Sequence, residues 1–183
     1  MTDLPDAPVF LIGYRGTGKS AVARELAGRL GYDWVDADDE VERRAGMSIA
    51  AMFAEDGEPA FRDLEARVVT QLCGRRRAVV ALGGGAVLRE ENRQAIRAAG
   101  PVVWLTATVD TVIERMAADE TTAGRRPSLT KAGGRQEVET VLAQRTPLYR
   151  VCATLVVDTE GKTAAEVAEE IAGQLIRGPT IAS

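Results

Sequence analysis

The segment Gly13–Ser20, GYRGTGKS, constrains the fold more than any other feature of the sequence. It fits the pattern GxxxxGK[ST], follows the apolar run Val9–Ile12 and opens an amphipathic stretch that reaches Leu30. In that context the glycines let backbone N–H groups wrap around phosphates, and the helix that follows adds partial positive charge. The sequence therefore predicts a phosphate-binding loop between a first strand and a first helix.

Two side chains of this loop have predictable roles. Lys19 is expected to reach the β- and γ-phosphates of a nucleotide, and Ser20 to place its hydroxyl on Mg²⁺. Lys19 is one of only three lysines in the chain, so its position is hard to ascribe to composition. The predicted ATP contacts of the loop are Gly16, Thr17, Gly18, Lys19, Ser20 and Ala21.

Short β-rich runs alternate with longer amphipathic segments, which is typical of βα units around a parallel sheet. We expect a three-layer α/β P-loop fold, a five-stranded parallel sheet flanked by helices, as one domain over residues 1–183. The predicted strands are Val9–Ile12, Asp33–Asp36, Ala78–Leu82, Val102–Leu105 and Leu155–Val157. The predicted helices span residues 20–30, 38–44, 48–53, 58–73, 90–99, 109–118, 136–144 and 164–176.

Composition excludes several kinds of chemistry. The chain of 183 residues has no histidine, so an imidazole base, a Ser-His-Asp triad or a histidine-ligated metal is impossible. Its net charge of −4 argues against wholesale binding to nucleic acid or an anionic membrane. No apolar run approaches membrane-helix length, and Cys73 and Cys152 lack metal-ligand spacing, so we expect a cytoplasmic protein with reduced thiols.

The phosphate loop alone does not choose among GTPases, motors and small-molecule kinases. The chain has no NKxD guanine signature, and the strand Val79–Leu82 runs into Gly83 where a motor-type site would have an acidic pair. A small-molecule kinase is the interpretation that remains.

Asp36 and Asp38 lie at the carboxyl end of the second predicted strand, where open α/β sheets bind ligands. In an extended segment a spacing of two sends both carboxylates to the same face. One would serve Mg²⁺ through water, and the other would accept a hydrogen bond from the acceptor hydroxyl. The alternative is that Asp38, Asp39 and Glu40 cap and decorate the next helix, Asp39 and Glu40 being better cap candidates than Asp36.

Two further features suit an anionic ligand. Arg62, on a predicted helix, could bind a carboxylate in bidentate fashion, although an arginine on a helix is more often solvent-exposed or ion-paired. Gly83-Gly84-Gly85 follows a buried strand and offers bare backbone N–H donors, or is simply a flexible turn.

In order along the chain, GYRGTGKS, DAD, GEPAFRDLE, LGGGAV, RRPSL and QRTPLYR resemble the motifs of the shikimate kinase family. The resemblance covers nearly the whole chain. It implies an NMP-kinase-like fold with a mobile lid. It also implies ATP-dependent phosphorylation of the 3-hydroxyl of shikimate, in the synthesis of chorismate and the aromatic amino acids.

The resemblance also implies roles for individual residues. Asp38 would bind the reacting diol and act as the base, and Asp36 and Ser20 would serve Mg²⁺. Arg126 matches the lid arginine that folds over the phosphates, with Arg125 as the alternative if the register differs. Arg115 would contact adenine. The shikimate contacts would be Asp38, Arg62, Gly84, Gly85 and Arg145.

The resemblance places a lid at about residues 117–134 and a shikimate-binding helical region at about residues 37–65, in a monomer. In residues 119–134 the only large apolar side chain is Leu129, which fits either a lid or a surface loop. Two other functions remain open. One is a P-loop kinase of gluconate or of a nucleoside monophosphate, and the other is a non-catalytic nucleotide-binding module.

Overall fold

The structure, a computed structural model, describes residues 6–118 and 134–177. Within these ranges the strands are β1 (Val9–Ile12), β2 (Asp33–Asp36), β3 (Ala78–Ala81), β4 (Val102–Thr106) and β5 (Leu155–Asp158). The helices are α1 (Lys19–Leu30), α2 (Ala37–Ala45), α3 (Ile49–Glu55), α4 (Gly57–Cys73), α5 (Glu90–Ala99), α6 (Val109–Ala118), α7 (Gly134–Cys152) and α8 (Ala164–Arg177). A short 3₁₀ helix at Ala86–Leu88, which the sequence did not predict, follows β3.

The five strands form one parallel sheet in the order β2-β3-β1-β4-β5, which confirms the predicted fold class. Because β1 is central, the phosphate loop that follows it emerges from the middle of the sheet. Parallel strands end on the same edge, so the segments after β2, β3 and β5 lie along that edge with the loop.

Each face of the sheet is covered by helices. Phe10 and Ile12 of β1 pack on the face covered by α4, α5 and α7. Val9 and Leu11 point to the other face, against α1 and α8, as the period of two in a strand requires. A third cluster joins Tyr14 of the phosphate loop to α6 and α7. Both helices that border residues 119–133 therefore rest on the loop.

Helix α7 is the largest departure from the predicted boundaries, which ended at Gln144 instead of Cys152. Pro147 lies inside the helix and removes one backbone hydrogen bond. The last turns nevertheless stay helical because Tyr149 and Cys152 are both fully buried in the core. Tertiary packing thus outweighs the local cost of the proline.

Candidate active site

The phosphate loop depends on glycine at its bends. Gly13, Gly16 and Gly18 have φ values of +141°, +80° and +88°, which side chains rarely tolerate. A Cβ added at Gly13 would lie 2.5 Å from the carbonyl oxygen of Leu105, at the end of β4. The loop therefore packs closely against the sheet, and its conformation is set before any ligand arrives.

Lys19 is folded back over this loop. Its Nζ donates to the carbonyl oxygens of Gly13, at 2.9 Å, and Tyr14, at 2.8 Å. Thr17, which is 2% exposed, donates its hydroxyl to the same Tyr14 oxygen at 2.7 Å. The lysine charge is thus held at the loop, and its contact with the β- and γ-phosphates of a nucleotide stays a prediction.

Ser20 and Asp36 meet across the gap between α1 and β2. The Ser20 hydroxyl donates to Oδ2 of Asp36 at 2.5 Å. Burial, and then the nearby charge of Asp38, raises the pKa of the Asp36 carboxyl above its ordinary value. A hydroxyl and a carboxylate beside a phosphate loop are the hard oxygen ligands that suit Mg²⁺, which uses few protein ligands and keeps several waters.

The extended geometry expected for Asp36 and Asp38 is wrong. β2 ends at Asp36, which caps α2 by accepting a hydrogen bond from the Asp38 N–H at 2.9 Å. Asp38 is in the first helical turn, half-buried, and is not part of the strand. Its direction is therefore set by the helix.

The expected order of cap candidates is also wrong, since the cap is Asp36. Asp39 and Glu40 lie in the first turn of α2, as the alternative interpretation predicted. Glu40 pairs with Arg43 and Arg44, and the hydrogen bond from Arg43 is the main cause that lowers the pKa of Glu40 to about 2.

The glycine turn after β3 lies between two arginines and the phosphate loop. A Cβ added at Gly85 would lie 2.5 Å from Nη1 and Nη2 of Arg62, so any side chain there would displace the guanidinium. A Cβ at Gly84 would lie 3.5 Å from Nη1 of Arg145 and 3.3 Å from the Gly13 carbonyl oxygen. The turn is packed rather than loose, and it brings the two arginines next to the phosphate loop.

Arg62 on α4 is 7% exposed and is paired with two glutamates of the same helix. Its Nη1 donates to Glu65 at 2.6 Å, while Nη2 and Nε both donate to Oε1 of Glu58, at 3.1 and 3.2 Å. The guanidinium also lies 4.8 Å from the ring centroid of Phe61. Arg62 is thus ion-paired, as one interpretation of the sequence held, but it is buried at the glycine turn rather than exposed.

Arg145 projects from α7 toward the same turn and is also 7% exposed. Within the described ranges no carboxylate forms an ion pair with it. A buried guanidinium without an anionic partner is costly in an empty site, so this one is suited to receive an anion.

Arg115 lies at another part of the same sheet edge. Its Nη1 and Nη2 donate to the hydroxyl and the carbonyl oxygen of Thr159, both at 2.9 Å, in the loop after β5. Thr159 is 2% exposed, so the guanidinium is held in a fixed position. Arg125 and Arg126 lie outside the described residues, as does most of the predicted lid.

The sequence did not single out three residues of this site. Glu65 lies one helical turn beyond Arg62, and Tyr149 lies one turn beyond Arg145, so helical spacing was a usable signal for both. Tyr149 donates its hydroxyl to the Gly84 carbonyl oxygen at 2.6 Å.

The third is Glu137, 1% exposed on α7, which accepts a hydrogen bond from Arg15 of the phosphate loop at 2.9 Å. These two residues are 122 positions apart, and nothing local predicts their pairing.

A phosphate loop at the centre of a parallel sheet, beside a turn flanked by buried arginines, defines a P-loop kinase of a small anionic molecule. Within the described ranges no helix is long and apolar enough to cross a membrane.

Comparison with known proteins identifies the family. The sequence profile of shikimate kinase matches residues 15–176. A shikimate kinase of Rhodopirellula baltica is 45% identical over 163 residues, covering 89% of this chain and 87% of the relative. One from Nitratidesulfovibrio vulgaris is 46% identical over 167 residues, covering 91% and 94%. The structure of shikimate kinase from Acinetobacter baumannii in complex with shikimate superposes with a TM-score of 0.88 at 34% identity, covering 99% and 97%. The chain belongs to the shikimate kinase family.

Proposed function

We propose that the protein transfers the γ-phosphoryl group of ATP to the 3-hydroxyl of shikimate. The products are ADP and shikimate 3-phosphate, on the route to chorismate and the aromatic amino acids. Besides family membership, one observation carries the proposal. Two buried arginines, Arg62 and Arg145, flank a glycine turn that touches the phosphate loop. A small carboxylate bound there would have its hydroxyls beside the terminal phosphate.

The nucleotide would occupy the phosphate loop. The loop amides and Ala21 would bind the phosphates, and Lys19 would turn from its carbonyl partners toward the β- and γ-phosphates. Arg115, fixed by Thr159, would border the adenine. Arg126 would add positive charge over the phosphates as the transferred group develops charge.

Mg²⁺ would be held by Ser20, and by Asp36 through water, because these two oxygens meet beside the phosphate loop. A bound Mg²⁺ at these two oxygens would supply positive charge against the negative charge that develops on the transferred phosphoryl group. The raised pKa of Asp36 fits this role, since the carboxylate is poorly compensated without a nearby cation.

Shikimate's carboxylate would lie between Arg62 and Arg145, with the amides of Gly84 and Gly85 contacting the ring hydroxyls. Asp38 would orient the 3-hydroxyl and accept its proton. The first helical turn of α2 holds Asp38 in place, and a chain without histidine offers no imidazole for that task.

The wider organisation is part of the proposal. Residues 1–183 would form a single domain with a shikimate-binding helical region at about residues 37–65. A lid at about residues 117–134 would close over the phosphates and exclude water that competes for the γ-phosphate. We further infer a monomer that works in the cytoplasm.

A panel of acceptors tests the proposal. Purified protein is given ATP and Mg²⁺ with shikimate, gluconate or a nucleoside monophosphate, and ADP release is followed. We expect turnover above the ATP-only rate with shikimate alone. Turnover with another acceptor would reassign the substrate. Shikimate binding by calorimetry without turnover would favour the non-catalytic module.

A further inference from the structure

Two carboxylates share the guanidinium of Arg62, and they differ sharply in exposure. Glu65 pairs with Nη1 at 2.6 Å, and its side chain is 3% exposed. Glu58 pairs with the Nε and Nη2 edge at 3.2 and 3.1 Å, and its side chain is 53% exposed. Glu65 is therefore a permanent partner, because separating a buried pair leaves an uncompensated charge. Glu58 can leave easily, because an exposed pair contributes little.

The edge that Glu58 occupies is the one a ligand would need. An arginine binds a carboxylate best through two neighbouring N–H groups, and Glu65 already holds Nη1. Nε and Nη2 are left for a second carboxylate, and in this structure Glu58 is that carboxylate.

Charge balance points in the same direction. Arg62 and Arg145 carry two positive charges, and Glu58 and Glu65 carry two negative charges, so these four side chains sum to zero. An anionic acceptor would make that sum −1 if all four stayed. If Glu58 moves into water as the acceptor arrives, the sum returns to zero, which avoids an uncompensated charge in a mostly buried site.

We propose that Glu58 is an internal surrogate for the acceptor's carboxylate. It occupies the Nε and Nη2 edge of Arg62 in the empty site and is displaced when the acceptor's carboxylate binds. The inference rests on the proposed function. Glu58 lies in the first turn of α4, where the positive end of the helix stabilises its charge after release.

Such a surrogate would affect selectivity. Every ligand of Arg62 must displace Glu58, which a carboxylate in good geometry does and a loosely bound anion does not. Glu58 therefore lowers the affinity for shikimate slightly and reduces occupation of the site by simple anions.

The experiment measures shikimate binding to the full chain by calorimetry, without nucleotide, for the wild type and for Glu58→Gln and Glu58→Ala. We expect each variant to bind about two- to fivefold more tightly, the range of an exposed ion pair. Inorganic phosphate should also compete with shikimate more effectively in the variants. Asp56→Asn is the matched control, since it removes one exposed negative charge two residues away, and it should bind like the wild type.

Unchanged or weaker binding in both Glu58 variants would overturn the inference. Equal tightening by Asp56→Asn would overturn it too, because general electrostatics would then explain the effect. If the wild type binds shikimate and the Glu58 variants do not tighten, only this inference fails. If the wild type itself does not bind shikimate, the proposed function fails with it.

Discussion

The hydroxyl of Tyr149 fixes the glycine turn, and its removal should mainly weaken the binding of shikimate. Tyr149 is fully buried, donates to the Gly84 carbonyl oxygen at 2.6 Å and stacks on Trp104 at a centroid distance of 5.7 Å. The substitution Tyr149→Phe keeps the ring and its stacking and deletes only the donor. The Gly84 carbonyl then loses that partner in a packed region.

The cost follows from that geometry. Leaving a buried acceptor without its hydrogen bond costs about 1–3 kcal/mol. In a chain of this size each kcal/mol lowers Tm by roughly 2–4 °C. If shikimate must restore the displaced turn, a penalty of about 1.4 kcal/mol would weaken its binding roughly tenfold. The proposed ATP contacts do not include Gly84, so the KM for ATP should change less than the KM for shikimate.

The assay compares KM for shikimate, KM for ATP and Tm in Tyr149→Phe and in a control, Thr154→Val. The Thr154 hydroxyl exchanges hydrogen bonds with the backbone of Val102 at 2.9 and 3.0 Å, at the far end of β4 from the phosphate loop. The control should lower Tm and leave both KM values alone. An unchanged shikimate KM in Tyr149→Phe, or an equal rise in the control, would refute the positioning role.

Three other changes test separate parts of the site. Asp36→Asn should raise Tm at pH 7 while abolishing Mg²⁺-dependent turnover, because the raised pKa means that the fold disfavours the ionised carboxyl. Thermal melts should show this difference in Tm shrinking as the pH falls through that raised pKa, where wild-type Asp36 becomes protonated. Asp38→Asn should lower kcat by roughly 10²–10⁴-fold, with shikimate binding retained in calorimetry; equal losses of binding and turnover would contradict the base role. Glu137→Gln should weaken the pairing of Arg15 and lower Tm. In steady-state kinetics it should raise the KM for ATP more than the KM for shikimate. A larger rise in the KM for shikimate would contradict a role of this pair at the phosphate loop.

The sequence predicts the sheet and the phosphate loop well because their signals are local. The run Val9–Ile12 and the motif that ends at Ser20 are contiguous, and the observed β1 has the predicted bounds. The ends of the next two helices are also local features: Gly46 ends α2 with a φ of +69°, and the Ser48 hydroxyl accepts a hydrogen bond from the Ala51 N–H at the start of α3.

The remaining features depend on contacts between distant segments. Asp36 is a cap rather than one of two carboxylates on an extended strand, because α2 begins one residue earlier than the spacing argument assumed. Gly84 and Tyr149 are 65 positions apart, and their hydrogen bond exists only once α7 packs against the 3₁₀ helix that follows the glycine turn. The sequence therefore predicts Arg62 and Arg145 as site residues, but it does not predict the side chains that hold the glycine turn beside them.

The most direct test of the proposed activity is the identity of the product. Purified protein is incubated with ATP, Mg²⁺ and shikimate, and the mixture is followed by phosphorus NMR. We predict a new phosphate ester on the 3-hydroxyl of shikimate, formed in equal amount to ADP and absent when Lys19→Ala replaces the wild type. ADP released at the same rate with and without shikimate, or a phosphate ester on another hydroxyl, would contradict the proposed activity.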